Sequence, residues 1–240
     1  MTISRHDWER YIRRLSRVSA TAAKAMQAYM TASRNRSVEE LIRYAYSLTT
    51  RYGEAAAALA CEMYDSIAAA SGASVAAAEP AEVATVSEVS AAVRAVQVES
   101  PSLLPAVAER MVKRAAADTT LKNAIRDGAE FAWVPHGDTC AFCVTLASNG
   151  WQLASRKALK GGHAEHIHSN CDCEYAIRFD DRTNIAGYNP DKYLQEYEDA
   201  SDGSWRDKVN AMRRDRYAEN ADAINAQKRA AYAARKEAGG

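Results

Sequence analysis

Apolar residues recur at steps of three and four through most of the first 130 positions, then give way to short alternating runs. Trp8, Tyr11, Ile12, Leu15, Val18, Ala22, Met26 and Tyr29 form one stripe, which predicts a helix with a single buried face. A second helix begins at Ser37, an N-cap with Glu40 at the capping-box position. Its stripe passes through Leu41, Ala45, Leu48, Tyr52, Ala56, Leu59, Met63 and Ile67 and stops at Ser71-Gly72. Alanine-rich segments punctuated by Pro80, Pro101 and Pro105 predict two shorter helices, over 80–98 and 103–127. Small residues on helix faces permit close approach, so residues 1–128 read as a helical hairpin or bundle.

The pattern changes after Gly128. Phe131-Ala132-Trp133-Val134-Pro135 predicts a short strand running into the turn chemistry of His136-Gly137-Asp138. A short helix is expected over 142–148 and a helical turn over 155–160, broken by Gly161-Gly162. The run from Glu174 to Phe179 alternates with period two and reads as a second strand. Asn189-Pro190-Asp191 starts another helix. From Trp205 to about Lys236 the chain reads as one long charged helix with few apolar positions. The expected fold is mainly α, in three parts: a helical domain over 1–128, a small α+β module over 129–182, and a C-terminal helical arm over 183–240.

Four of the five cysteines lie in that middle module. Cys140 and Cys143 form a Cys-x2-Cys turn, which brings two thiolates to one point at the spacing that tetrahedral zinc requires. The second group holds His168, Cys171 and Cys173. His168-x2-Cys171 repeats the first spacing, and Cys171-x-Cys173 in an extended strand puts both thiols on one side. Five residues thus compete for four ligand positions on a structural zinc ion, with reduced metal-free cysteines or disulfides as the competing readings. His163 and His166 read as neighbours of the site rather than ligands. A site closed by four protein ligands leaves zinc no open position for substrate, which argues against an enzyme. Cys61, alone in an alanine-rich helix, reads as a buried small hydrophobe.

Two catalytic readings compete. His163-Ala164-Glu165 matches the His-x-Glu of zinc deaminases, but here the Cys-x2-Cys lies upstream of it, and the second cysteine pair has the wrong spacing. A zinc-supported nuclease of the His-Asn-His class, acting on DNA, is the alternative function, since a knuckle, a histidine-rich segment and a basic helix could hold a divalent ion against a phosphodiester. The chain lacks a recognisable Asp-His dyad ahead of a strand–strand–helix unit.

Charge adds a further pattern to a chain that is neutral overall. Residues 1–53 carry 10 Lys and Arg against 4 acids, and residues 205–240 carry 9 against 5. Between them, 54–130 and 131–204 each carry 6 against 11. Basic ends can contact nucleic acid or an acidic protein surface. The arm, with Arg213, Arg214, Arg216, Lys228, Arg229, Arg235 and Lys236 and with Tyr217 and Tyr232 interleaved, fits a protein partner or non-specific contact with DNA. No apolar run approaches a membrane span, and the polar, charged start from Met1 to Trp8 lacks the apolar core of a secretory signal, which together predict a chain made in a reducing cytoplasm, with no membrane partner.

The segment Asp138-Thr139-Cys140-Ala141-Phe142-Cys143, with Leu146-Ala147 and Gly150, followed by His168-Ser169-Asn170-Cys171-Asp172-Cys173, resembles the tailed-phage minor head proteins. These are the Mu F-like head morphogenesis proteins and related minor capsid proteins, whose hallmark is a cysteine pair followed by His-Pro-x-Cys-Arg-Cys. Ser169 and Asp172 depart from that hallmark without touching a candidate ligand. The resemblance covers about residues 130–180. It implies a low-copy structural protein of the phage head, associated with portal and capsid proteins and located in the virion after assembly in the host cytoplasm.

Overall fold

Three helix starts are built alike. Ser4, Ser37 and Thr85 stand in extended backbone, and each side chain accepts the N–H three residues on, from Asp7, Glu40 and Glu88. Each satisfies a donor that a helix end otherwise leaves open. The helices that follow are α1 (Arg5–Ala32), α2 (Val38–Ser71) and α3 (Val86–Glu99). A 3-10 turn at Pro101–Leu103 then leads into α4 (Leu104–Asp127). Gly72 and Gly128 end α2 and α4 in the left-handed conformation, at φ 71° and 65°, where a β-carbon is disfavoured. This is a computed structural model, and it describes residues 2–33, 35–136, 139–155 and 173–238.

Helices α1, α2 and α4 pack on one another, and α3 lies against α2 and α4. Most of the two predicted stripes is buried: Trp8, Leu15, Ala22 and Met26 of α1 and Leu48, Ala56 and Ile67 of α2 lie in two apolar clusters. Val18, Tyr52 and Met63 are half-buried, whereas Tyr64, outside the predicted stripe, is buried next to Met63. Tyr29, at the end of the first stripe, is only half-buried and instead stacks on Tyr44 at 3.8 Å between ring centres.

The helix expected over 80–98 starts six residues later than the pattern suggests. Residues 73–85 run as an extended strap whose backbone donors are met by side chains rather than by a helix ladder. Asp65 accepts from Ala78, Asn123 from Glu79, and Thr119 from Ala81. The helix begins where Thr85 and Glu88 complete a capping box.

Beyond α4 the chain forms β2 (Glu130–Pro135), α5 (Ala141–Ala147), β3 (Gln152–Leu153) and β4 (Cys173–Arg178). The sheet order is β3-β2-β4, antiparallel, with Pro135 opposite Cys173 at one end and Glu130 opposite Arg178 at the other. At that second end Arg178 donates to Glu130 at 2.5 Å. The central strands are covered on both faces, so the period-two pattern of 174–179 does not mark an exposed face. β1 (Thr2–Ile3) pairs in parallel with β5 (Asn184–Ile185), tying the start of the chain to the segment after the sheet. The apolar core passes residue 129 without interruption, since Trp8, Leu15, Tyr64 and Leu121 share one cluster with Phe131, Trp133 and Tyr175.

Two helices complete the described chain, α6 (Pro190–Asp199) and α7 (Trp205–Ala238). Val209 and Met212 at the base of α7 pack on Ala141 and Val144 of α5, with Tyr193 and Tyr197 of α6 beside them. Arg213, Arg214, Lys228 and Arg229 further along α7 are exposed. Among the described residues no helix is long and apolar enough to cross a membrane.

Candidate metal centre

Cys140 is the N-cap of α5, in extended backbone at φ −72° and ψ 159°. Its sulfur accepts the Cys143 N–H at 3.4 Å, which folds the Cys-x2-Cys segment into a tight turn. The two sulfur atoms stand 3.5 Å apart. With Zn–S bonds of about 2.3 Å, a tetrahedral ion spaces two thiolates by about 3.8 Å. The pair therefore matches one edge of a zinc–thiolate tetrahedron and needs little movement to become one. Cys143 is 1% exposed and Cys140 is half-buried.

Cys173 opens β4 and is 3% exposed. Its register partner Pro135 ends β2, from which the chain reaches Cys140 in five residues. Cys143 and Cys173 share one apolar cluster, and Cys140 packs against it. The sheet thus delivers a third cysteine to the end where the cysteine turn lies. Two residues here escaped the sequence pattern. His136, which reads as turn chemistry, follows Pro135 at this same end, with its Nε2 atom shut off from solvent. Tyr193 of α6 has its phenol pushed above the usual range, first by burial and then by the nearby Cys173. Only the three-dimensional closure of α6 over α5 reveals it.

That closure is held by aromatic contacts. The Tyr188 hydroxyl donates to the Ala147 carbonyl at 3.2 Å, and its ring lies 6.2 Å from that of Tyr193. Burial pushes the Tyr188 phenol well above its ordinary value, so it stays protonated and serves as a donor. An open cleft of about 1150 Å³ between α5, α6 and α7 reaches Cys140 and Tyr193. Lys192, Arg213 and Arg216 face Glu196, Asp199 and Asp215 around it, a mixed lining with no single sign of charge.

Among the described residues no group of three or more His, Cys, Asp or Glu side chains converges as a metal cage. Of the five ligand candidates, Cys140 and Cys143 are in contact and Cys173 is buried in the same apolar cluster. His168 and Cys171 fall outside the described residues, as do His163, His166 and all but Ser155 of the helical turn expected over 155–160. Cys61 lies away from this site on α2 and is half-exposed rather than buried.

A family model described as VG15 protein matches residues 2–200, which takes in the helical half, the sheet, the cysteine turn and α6. No curated protein and no solved structure matches the chain. The chain belongs to the VG15 family, a family of viral gene products, which fits a phage protein.

Proposed function

We propose that this VG15-family protein is a minor head protein of a tailed phage, acting in head morphogenesis near the portal and stiffened by a structural zinc ion. Cys140 and Cys143 supply two ligands, and His168, Cys171 and Cys173 compete for the remaining two. The observation that carries the zinc reading is the 3.5 Å separation of the Cys140 and Cys143 sulfurs on the cap of α5. A zinc ion there would cross-link the cysteine turn to the second ligand group at the start of β4. Four protein ligands give the ion a structural task, so the protein works by assembly rather than turnover. The head reading is supported by the viral family and by the resemblance of residues 130–180 to minor head proteins. Its partners are portal and capsid proteins, and its place is the virion.

Two measurements test this reading. Protein purified under reducing conditions should carry about one equivalent of zinc, and Cys140→Ser or Cys143→Ser should lose most of it. Less than about half an equivalent in the unaltered chain overturns the zinc site. Mass spectrometry of purified virions should find the chain in heads at low copy, and its absence from heads overturns the assembly role.

A further inference from the structure

The turn that brings Cys140 and Cys143 together suits a second chemistry besides metal binding. The Cys143 N–H holds the Cys140 sulfur at 3.4 Å, and the two sulfurs stand 3.5 Å apart. A disulfide needs about 2.05 Å, so a movement of about 0.7 Å from each sulfur joins them, within the reach of side-chain torsions. The two thiols differ in access. Cys140 is half-buried and borders the open cleft between α5, α6 and α7, whereas Cys143 is 1% exposed. A small solute in the cleft therefore meets Cys140 first, and the Cys143 sulfur stands in contact behind it. An accessible sulfur backed by a buried one is the arrangement of a dithiol attacked from outside and resolved from within.

We infer that Cys140 and Cys143 form a reversible redox pair, oxidised by a small organic disulfide, RSSR, and reduced by the matching thiol, RSH. The Cys140 sulfur gives up its proton and attacks one sulfur of RSSR. The bond within RSSR breaks, a Cys140–SR bond forms and RS⁻ leaves. The Cys143 sulfur, its proton also shed, then attacks the Cys140 sulfur, forming the Cys140–Cys143 bond and expelling the second RS⁻. Two protons and two electrons pass from the cysteines to the oxidant, which ends as two RSH.

The disulfide and a zinc ion compete for the same two sulfurs, so oxidation releases zinc. It also changes what is tied together: zinc joins the turn to the second ligand group, whereas the disulfide stays within the turn. Assembly in a reducing cytoplasm keeps the zinc form, and release of a virion into an oxidising medium favours the disulfide. These consequences rest on the zinc site and the virion role proposed above, while the redox pair itself needs neither.

The test equilibrates the full chain in glutathione buffers of graded [GSH]²/[GSSG], with and without a chromogenic zinc chelator, and maps the blocked cysteines by mass spectrometry. Cys140 should be found joined to Cys143. The oxidised fraction should rise from one tenth to nine tenths as that ratio falls about eighty-fold, independent of protein concentration, as an intramolecular two-electron step requires. Cys143→Ser should stop the reaction at a Cys140–glutathione mixed disulfide, and Cys140→Ser should slow the oxidation of buried Cys143 about tenfold or more. Mapping of the unaltered chain decides the matter even where a variant fails to fold. A Cys140 that stays a thiol across the series, or that pairs with Cys171 or Cys173 instead, overturns the proposal. If the pair oxidises as expected and no zinc is released, the redox pair stands and the zinc site fails. About one equivalent of zinc, with both thiols unreactive even after chelation, keeps the zinc site and overturns the redox pair.

Discussion

The Tyr64 hydroxyl donates to a carboxylate oxygen of Asp127 at 2.7 Å, and this bond joins α2 to the last turn of α4. Asp127 also receives the Arg126 guanidinium at 2.8 Å. Tyr64 is 1% exposed and presents its ring edge-on to Phe179 just past β4, at 5.6 Å between ring centres. One side chain thus touches the two helices and the end of the sheet at the point where Gly128 turns the chain from helix to strand.

Removing that hydroxyl should be costly in a pH-dependent way. Arg126 first, and then Tyr64, hold the Asp127 carboxyl below the usual carboxylate range. A depressed folded-state value means that the stability is present above the unfolded value, about 3.9, and is lost as pH falls through the folded one. Tyr64→Phe should therefore destabilise the protein by about 1.5–3 kcal/mol at pH 7, the worth of a hydrogen bond to a charged group. In urea titrations the gap between the two proteins should narrow below about pH 4. A gap that keeps its size through the whole acid transition, down to where both proteins unfold, would show that Asp127 is not the partner that matters.

The helical half was legible because its information is local. The stripe from Trp8 to Met26 and the Ser37/Glu40 capping box can be read within a window of a few residues, and both appear as predicted. The strap was not legible for the opposite reason. The partners of Ala78, Glu79 and Ala81 lie 13, 44 and 38 residues away, so the alanine-rich composition of the strap suggests helix while the tertiary partners impose extension. The pairings of β1 with β5 and of β2 with β3 span two residues each, too few for any period to show. The two longer strands were visible, but their burial on both faces hid Glu174 among core residues. At the site, spacing alone brought Cys140 and Cys143 together. Spacing also named Cys173, but its place opposite Pro135, and the positions of His136 and Tyr193, depend on sheet register and helix closure, which no spacing encodes.

Asn123 offers a direct test of the strap. It is fully buried on α4, accepts the Glu79 N–H at 2.9 Å, and donates to the Glu79 and Thr119 carbonyls at 2.8 Å each. Asn123→Ala removes both bonds to the strap and leaves the Glu79 backbone without those partners. A loss of about 2–4 kcal/mol is expected, since each buried polar group left unmade costs about 1–3 kcal/mol. Limited proteolysis should then gain a cut within residues 73–85 that the unaltered protein resists. Unchanged stability together with unchanged proteolysis would mean that Pro80 and the packing of Val83 hold the strap unaided.

The continuity of the core across residue 129 makes the last expectation. Trp8 on α1 and Trp133 on β2 belong to one cluster, and both are almost fully buried. A single cluster of this kind unfolds as one unit, because exposing the sheet also strips the faces of α1, α2 and α4 that cover it. Thermal unfolding followed by tryptophan fluorescence and by far-ultraviolet circular dichroism should give one midpoint, although the first reports the junction and the second the helices. Cys143→Ser replaces a buried thiol of that cluster with a hydroxyl, and moving a hydroxyl into an apolar setting costs about 1–3 kcal/mol. The substitution should therefore lower both midpoints together. If only the fluorescence midpoint moves, the cysteine module melts by itself and the shared core does not couple it to the bundle.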